Sequence, residues 1–219
     1  MLLDRIRVVF EDESLIVVEK PAGLLTMATD TERSRTVYAA LREAANRKRP
    51  PEKIFIVHRL DREASGLLVF AKTAEAKERL QDQFKDHSAG RRYIAVVEGR
   101  VTPANLTIRS YLAENAAFRV YSTRKSGAGK LAVTHVHVIK ANAKASLIEV
   151  RLETGRKHQI RVHLAERGHP IVGDTVYGSR SNPIRRMALH ASQLDFRHAV
   201  TGRLMHFEAT YPKSFSGCL

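Results

Sequence analysis

The sequence predicts an α+β fold, a mainly antiparallel mixed β-sheet with flanking helices, in a single domain over residues 1–219. Three observations point there. Strand-type segments greatly outnumber helical ones. The two kinds do not alternate regularly, as a doubly wound parallel sheet requires. The runs "LAVTHVHVIK" and "SLIEVRLE" also alternate apolar and polar residues with the period of a strand.

The elements follow in order. "IRVVF" and "LIVVEK" read as a short strand pair around the acidic turn "EDES". "KPAGLLT" reads as a turn followed by a strand, with Pro21 fixing the bend and Gly23 permitting positive φ. Residues 36–48 read as a helix with an apolar stripe of Val37, Ala40, Leu41 and Ala44, stopped by "RPP". "IFIV" and "GLLVFA" are buried-type strands on either side of "HRLD". A second helix starts at the N-cap Thr73 and carries Leu80 and Phe84 one turn apart. "RRYIAVVEG" is a strand, and "KSGAGK" at 125–130 is a flexible loop. "ANAKA" joins the alternating pair. "TGRKHQIRVHLAERG" is a turn and then a helix with Ile160 and Leu164 inward, ended by Gly168. "ALHASQLDF" and "RLMHFEAT" close the chain as alternating strands.

Charge is the most informative bulk property. Lys and Arg number 37 against 23 Asp and Glu, a net charge of +14. Such a surface attracts polyanions, nucleic acid before an anionic membrane. No apolar run approaches the roughly 18–20 residues of a membrane span, and acids interrupt the N-terminal segment, which reads as neither signal nor transit peptide. The single cysteine, Cys218, has no partner in the chain and fits a reducing cytoplasm. A monomer without a membrane partner is expected.

Several chemistries lack their residues. His135 and His137 share a strand face and His158 and His163 a helix, but there is no HExxH and no cysteine cluster, so no metal is expected. Neither G-x-x-x-x-G-K-[ST] nor G-x-G-x-x-G occurs, which leaves a nucleotide cofactor no anchor. Ser65 lies in "ASG" rather than a G-x-S-x-G elbow and reads as a turn residue. Glycoside hydrolysis commonly needs two carboxylates, and Glu63 alternates away from Asp61. Asp61 therefore stands alone between Arg59 and Arg62. Guanidinium neighbours favour the ionised carboxylate that a nucleophile or base needs. The ordinary alternative is a structural Asp–Arg pair on a turn.

"HRLDREASGLLVFAKT" resembles the central motif of the RluA-type pseudouridine synthases, HRLDxxTSGLLLFAKT. "VEKPAGLLT" resembles that family's early motif, "RRYIAVVEG" its tyrosine-bearing strand, and "LETGRKHQIRVHLAERGHPIVGDTVYG" its long late motif. "ALHASQLDF" is a further match. The four blocks keep the family's order over roughly residues 16–178.

The resemblance implies an isomerase that converts uridine to pseudouridine in structured transfer or ribosomal RNA, without cofactor. It implies that Asp61 is the catalytic aspartate, that Tyr93 packs on the base and is a candidate for the proton transfer from ring carbon 5, and that Arg161 is the basic residue pairing with the aspartate. Arg59 matches the arginine that enters the RNA helix where the base has flipped out. Ala64 departs from the family's usual threonine and removes a hydroxyl beside the site. Arg62, Lys20, Arg156 and His158 are candidate RNA contacts by charge and position. Asp174 is expected to cap or bond backbone, and His58 to hold its loop. Many relatives carry an RNA-binding domain before the catalytic one, and the strand signal from Ile6 leads us to expect the catalytic domain only. The alternatives are an inactive RNA-binding or RNA-folding factor on the same scaffold, and an RNA nuclease or glycosidase, which lacks its second carboxylate.

Overall fold

The computed structural model describes residues 2–125 and 127–219. It is α+β with a mainly antiparallel sheet. The elements, in chain order, are β1 (Arg7–Glu11), β2 (Leu15–Lys20), α1 (Val37–Asn46), β3 (Phe55–Ile56), β4 (Ser65–Ala71), α2 (Ala74–Lys85), β5 (Gly90–Glu98), β6 (Asn105–Glu114), β7 (Val120–Thr123), β8 (Lys130–Ala141), β9 (Ala145–Leu152), α3 (Gln159–Glu166), β10 (Leu189–Arg197) and β11 (Leu204–Glu208). They divide into two compact units, Met1–Gly90 with Ala191–Thr210, and Arg91–His190 with Tyr211–Leu219.

In the first unit β2 pairs antiparallel with β1 and β4, and β3 pairs with β4. β10 lies beside β4 and pairs antiparallel with β11. Every residue of β4 is buried, which is why its sequence is an unbroken apolar run. Leu15 and Val17 of β2, Leu67 and Val69 of β4, Ala76 and Leu80 of α2, and Leu194 and Phe196 of β10 form the core. The hydroxyls of Thr36 and Thr73 cap α1 and α2 by accepting the N–H groups of Ala39 and Ala76. Gly66 stands where β4 closely approaches β10. A Cβ there would lie 2.2 Å from the Ala191 carbonyl oxygen, and its φ of +113° is one that a side chain rarely tolerates.

The second unit runs β5-β9-β8-β6-β7, each pair antiparallel. α3 packs on β7 and β8. Leu112, Val120, Ala132, Val162 and Tyr177 make a core cluster.

One expected strand is absent, and two strands that are present, β6 and β7, had no reading in the sequence. On β6 the inward alternation of Leu106, Ile108 and Leu112 is broken by Ser110, whose hydroxyl is used by the ring of His163 (3.0 Å). The strand expected in "KPAGLLT" is a loop with one isolated bridge, Leu25 to Thr36. The carbonyls of Pro21, Gly23 and Leu24 are drawn to side chains instead, as described below. The loop at 125–130 is present, although Lys130 already belongs to β8 and Ser126 lies outside the described residues.

Candidate active site

In the first unit the segment between β3 and β4 crosses the surface with its apolar residues Val57 and Leu60 turned inward. Asp61 follows, half-buried, with Arg59 and Arg62 exposed on either side. The backbone around it is tied down. The Thr26 hydroxyl donates to the Leu60 carbonyl (3.1 Å) and accepts the Leu60 N–H (3.2 Å). The Arg62 carbonyl accepts from Gly23 N–H (2.9 Å) and from Lys20 Nζ (3.0 Å). Asp61 itself closes a turn by accepting Ala64 N–H (3.2 Å) at its carbonyl. The residues before and after the carboxylate are thus both anchored, while its side chain still reaches the surface.

Lys20 corrects an expectation. It is 0% exposed, and its ammonium donates to the carbonyls of Pro21 (3.0 Å), Leu24 (2.7 Å) and Arg62. A buried ammonium satisfied by carbonyls cannot hold an RNA phosphate. It holds the early loop against the Asp61 segment. That use also explains why the loop is not a strand, since the Pro21 and Leu24 carbonyls point at the lysine.

Arg59 has no acidic partner among the described residues, whereas Arg62 Nε donates to the Gly23 carbonyl (3.3 Å) and lies 3.7 Å from Glu63. His58 accepts Val69 N–H at Nε2 (3.2 Å) and stacks on Phe84, with centroids 4.3 Å apart. It therefore anchors the segment of Asp61 to β4 and α2, as expected of a loop holder. Ala64, at the position of the family's threonine, is buried.

In the second unit Tyr93 lies on β5 opposite Val150, 7% exposed. Arg161 lies on α3 and forks onto Asp174, with Nε to Oδ2 at 2.7 Å and Nη2 to Oδ1 at 2.8 Å. Both partners are almost fully buried, so the fork fixes the guanidinium plane as well as its charge. Asp174 also accepts Tyr177 N–H (3.3 Å), the cap that the sequence leads one to expect. The Tyr177 ring lies beneath the Arg161 guanidinium, 4.9 Å from its centroid, and its hydroxyl is 2.9 Å from His158 Nδ1. His158 takes φ +53° at the start of α3, half-buried. Arg156 donates from Nε to the Leu131 carbonyl (3.0 Å).

His163, one turn below, bonds Thr134 through Nδ1 (2.8 Å) and Ser110 through Nε2. Burial first of all, with Arg167 adding to it and Glu166 opposing it, pushes this imidazole down to about 4, so it is neutral near pH 7.

Sequence reasoning missed the Thr26 clamp and the Asp174 fork. Thr26 ends the "GLLT" block and Asp174 lies in "GHPIVGD", so the signal was inside the matched motifs, but only the fold shows what each side chain touches.

No His, Cys, Asp or Glu group among the described residues is arranged to hold a metal ion, and no described helix is long and apolar enough to cross a membrane.

Residues 14–166 match the family model described as RNA pseudouridylate synthase. The chain is 39% identical over 225 residues to ribosomal large subunit pseudouridine synthase D of Zymomonas mobilis, covering 95% of this chain and 70% of the relative. It is 38% identical over 209 residues to the uncharacterized RNA pseudouridine synthase YhcT of Bacillus subtilis, covering 94% and 68%. Against synthase D of Neisseria meningitidis serogroup A it spans 58% of the relative's length. The solved human RNA pseudouridylate synthase domain containing 1 superimposes with a TM-score of 0.80 at 25% identity, covering 99% of this chain and 88% of that one.

Proposed function

This chain belongs to the RNA pseudouridylate synthase family, isomerases of RNA uridine, and from that premise we propose that it converts uridine to pseudouridine in large-subunit ribosomal RNA, with Asp61 as the attacking carboxylate. Transfer RNA is the second substrate class to test. The observation that carries the reading is the Asp61 carboxylate, half-buried between two residues whose backbone groups are themselves clamped by Thr26 and Lys20.

The reaction breaks the bond between uracil N1 and ribose C1′, turns the base, and joins C5 to C1′. The C5 proton leaves to water and N1 regains one. Nothing is oxidised and no outside atom is added, so one carboxylate suffices. Asp61 acts by attack on C1′, by addition to the uracil ring, or by taking a ribose proton to give a glycal. Each route needs a carboxylate that does not wander, which the anchored segment provides. The uridine must leave its stack, at a cost of a few kcal/mol. Arg59, exposed and without an acidic partner among the described residues, is suited to fill the gap or hold the displaced strand. Tyr93 packs on the base and Arg161 supplies the family's fixed basic group. Arg62, Arg156 and His158 are the remaining proposed RNA contacts, and the charge of +14 supplies the general attraction to phosphate. Residues 1–219 serve as one catalytic domain, acting as a monomer in the cytoplasm.

The test is to incubate the protein with unmodified large-subunit ribosomal RNA and with unmodified transfer RNA, and to map pseudouridine by carbodiimide-dependent primer stops. New stops at discrete uridines of the ribosomal RNA support the proposal. Stops confined to transfer RNA would move the substrate assignment.

A further inference from the structure

The β6–β7 turn holds out an aromatic ring that the turn itself does not need. Asn115 Oδ1 accepts the N–H groups of Ala117 (3.0 Å) and Arg119 (2.9 Å). Phe118 N–H donates to the Asn115 carbonyl (2.9 Å), and Asn115 N–H to the Arg119 carbonyl (3.0 Å). Phe118 sits inside this closed turn at φ +57°, with 77% of its surface exposed. Glycine or asparagine would take that conformation at less cost, and neither would present a ring to water. The position thus bears two penalties, backbone strain and apolar exposure, and the ring lies outside the core cluster of the second unit.

The surroundings of the ring indicate what it meets. Lys157 Nζ lies 5.8 Å from the Phe118 centroid, donates to its carbonyl (3.4 Å), and pairs with Glu114. Lys157 and Glu114 line a pocket of about 530 Å³ together with Lys130, Arg156, Gly129 and Gly155. Neither Lys130 nor Arg156 has a carboxylate partner among the described residues. The pocket therefore holds three cations against one acid. Gly129 in this lining has to be glycine, since a Cβ there would stand 2.7 Å from the Leu112 carbonyl oxygen. An exposed aromatic face beside a glycine-walled basic pocket suits an unstacked base with its phosphate.

We propose that Phe118, with Lys130, Arg156 and Lys157, forms a subsite for an unpaired nucleotide of the RNA substrate, the base stacking on Phe118 and the phosphate entering the pocket. This rests on the RNA-modifying function proposed above. Because every base has a π-face, the subsite selects for an unpaired strand rather than for a sequence.

The test measures binding of a fluorescently labelled oligouridylate to the full chain over a range of salt, for the wild type, Phe118→Ala, Phe118→Trp and Lys130→Ala. Phe118→Ala weakens binding at least about fivefold with the salt dependence unchanged, and Phe118→Trp restores it. Lys130→Ala lowers the slope of log K against log salt by about 0.7. Binding by Phe118→Ala within about twofold of wild type, or a loss that tryptophan does not restore, overturns the subsite. So does a wild type whose self-association, read by sedimentation, vanishes in Phe118→Ala while RNA binding stays the same, since Phe118 would then serve a second copy of the chain. Tritium release from RNA labelled at uracil C5, run in parallel on the wild type, separates the two proposals. Release with unaltered Phe118→Ala binding sinks the subsite alone. Absence of release sinks the synthase reading, while the Phe118 effect, if seen, still establishes the RNA contact.

Discussion

The hydroxyl of Thr26 satisfies both backbone groups of Leu60, donating to its carbonyl at 3.1 Å and accepting its N–H at 3.2 Å. Leu60 precedes Asp61 directly, so a residue 34 positions upstream fixes where the carboxylate begins. Thr26→Val keeps the shape and leaves two buried polar groups without a partner. Stability in urea is expected to fall by about 1–3 kcal/mol. The kcat is expected to fall further than KM rises, because the loss is in positioning rather than in RNA contact. Thr26→Ser should recover both.

Lys20 separates structure from RNA binding. Lys20→Met removes the donor to the carbonyls of Pro21, Leu24 and Arg62. Unfolding free energy is expected to drop by something on the order of 3 kcal/mol. The salt dependence of RNA binding by the folded variant should equal that of the wild type, since a lysine that meets no phosphate releases no counterion. A shallower slope would return Lys20 to the RNA interface.

The buried fork between Arg161 and Asp174 is a second support. Asp174→Asn leaves a guanidinium that is 7% exposed without its carboxylate. Denaturant unfolding should show a loss of roughly 3–5 kcal/mol, the usual cost of breaking a buried pair from one side. A variant as stable as the wild type would mean that the fork is not what holds Arg161.

His163 gives a pH dependence with a definite sign. Its folded value is about 4 against 6.5 for the free side chain, because burial disfavours the imidazolium. The unfolded chain therefore takes up a proton that the folded chain refuses. Stability is full above pH 6.5 and falls as the pH drops toward 4, by roughly 3 kcal/mol if His163 acts alone. Urea midpoints between pH 7 and 4.5 should show the decline, and His163→Gln should flatten it. The carboxylates held low by their partners, such as Glu11 and Asp12, lose their contribution only at more acid pH, which keeps the two effects apart.

Most strands and helices of the chain can be read from the sequence because their signals are local. The cap Thr73, the alternation of β8 and β9, and the apolar run of β4 each depend on nearby residues. The failures come where a distant group decides. Ser110 interrupts the alternation of β6 because its face receives a histidine 53 positions later. Lys20 ends an apolar strand and so reads as surface charge, yet the Arg62 carbonyl, 42 positions away, closes over it. Asp61 was legible through the motif around it, and Asp174 as a cap. The fork to Arg161, which makes Asp174 more than a cap, needs the chain to turn back after α3 onto a residue 13 positions earlier and has no local signature.

In the proposed reaction Asp61 carries out the isomerisation. Forming pseudouridine must expel the hydrogen on uracil C5, so the direct measurement is tritium release to water from RNA labelled at that carbon, comparing the wild type with Asp61→Asn. Steady release is expected from the wild type and a loss of roughly a thousandfold or more in the variant, as removal of a nucleophile produces, with RNA still bound. Equal release by both proteins, or none by either while both bind RNA, would contradict it, and the second result would make this chain an RNA-binding factor on a synthase scaffold.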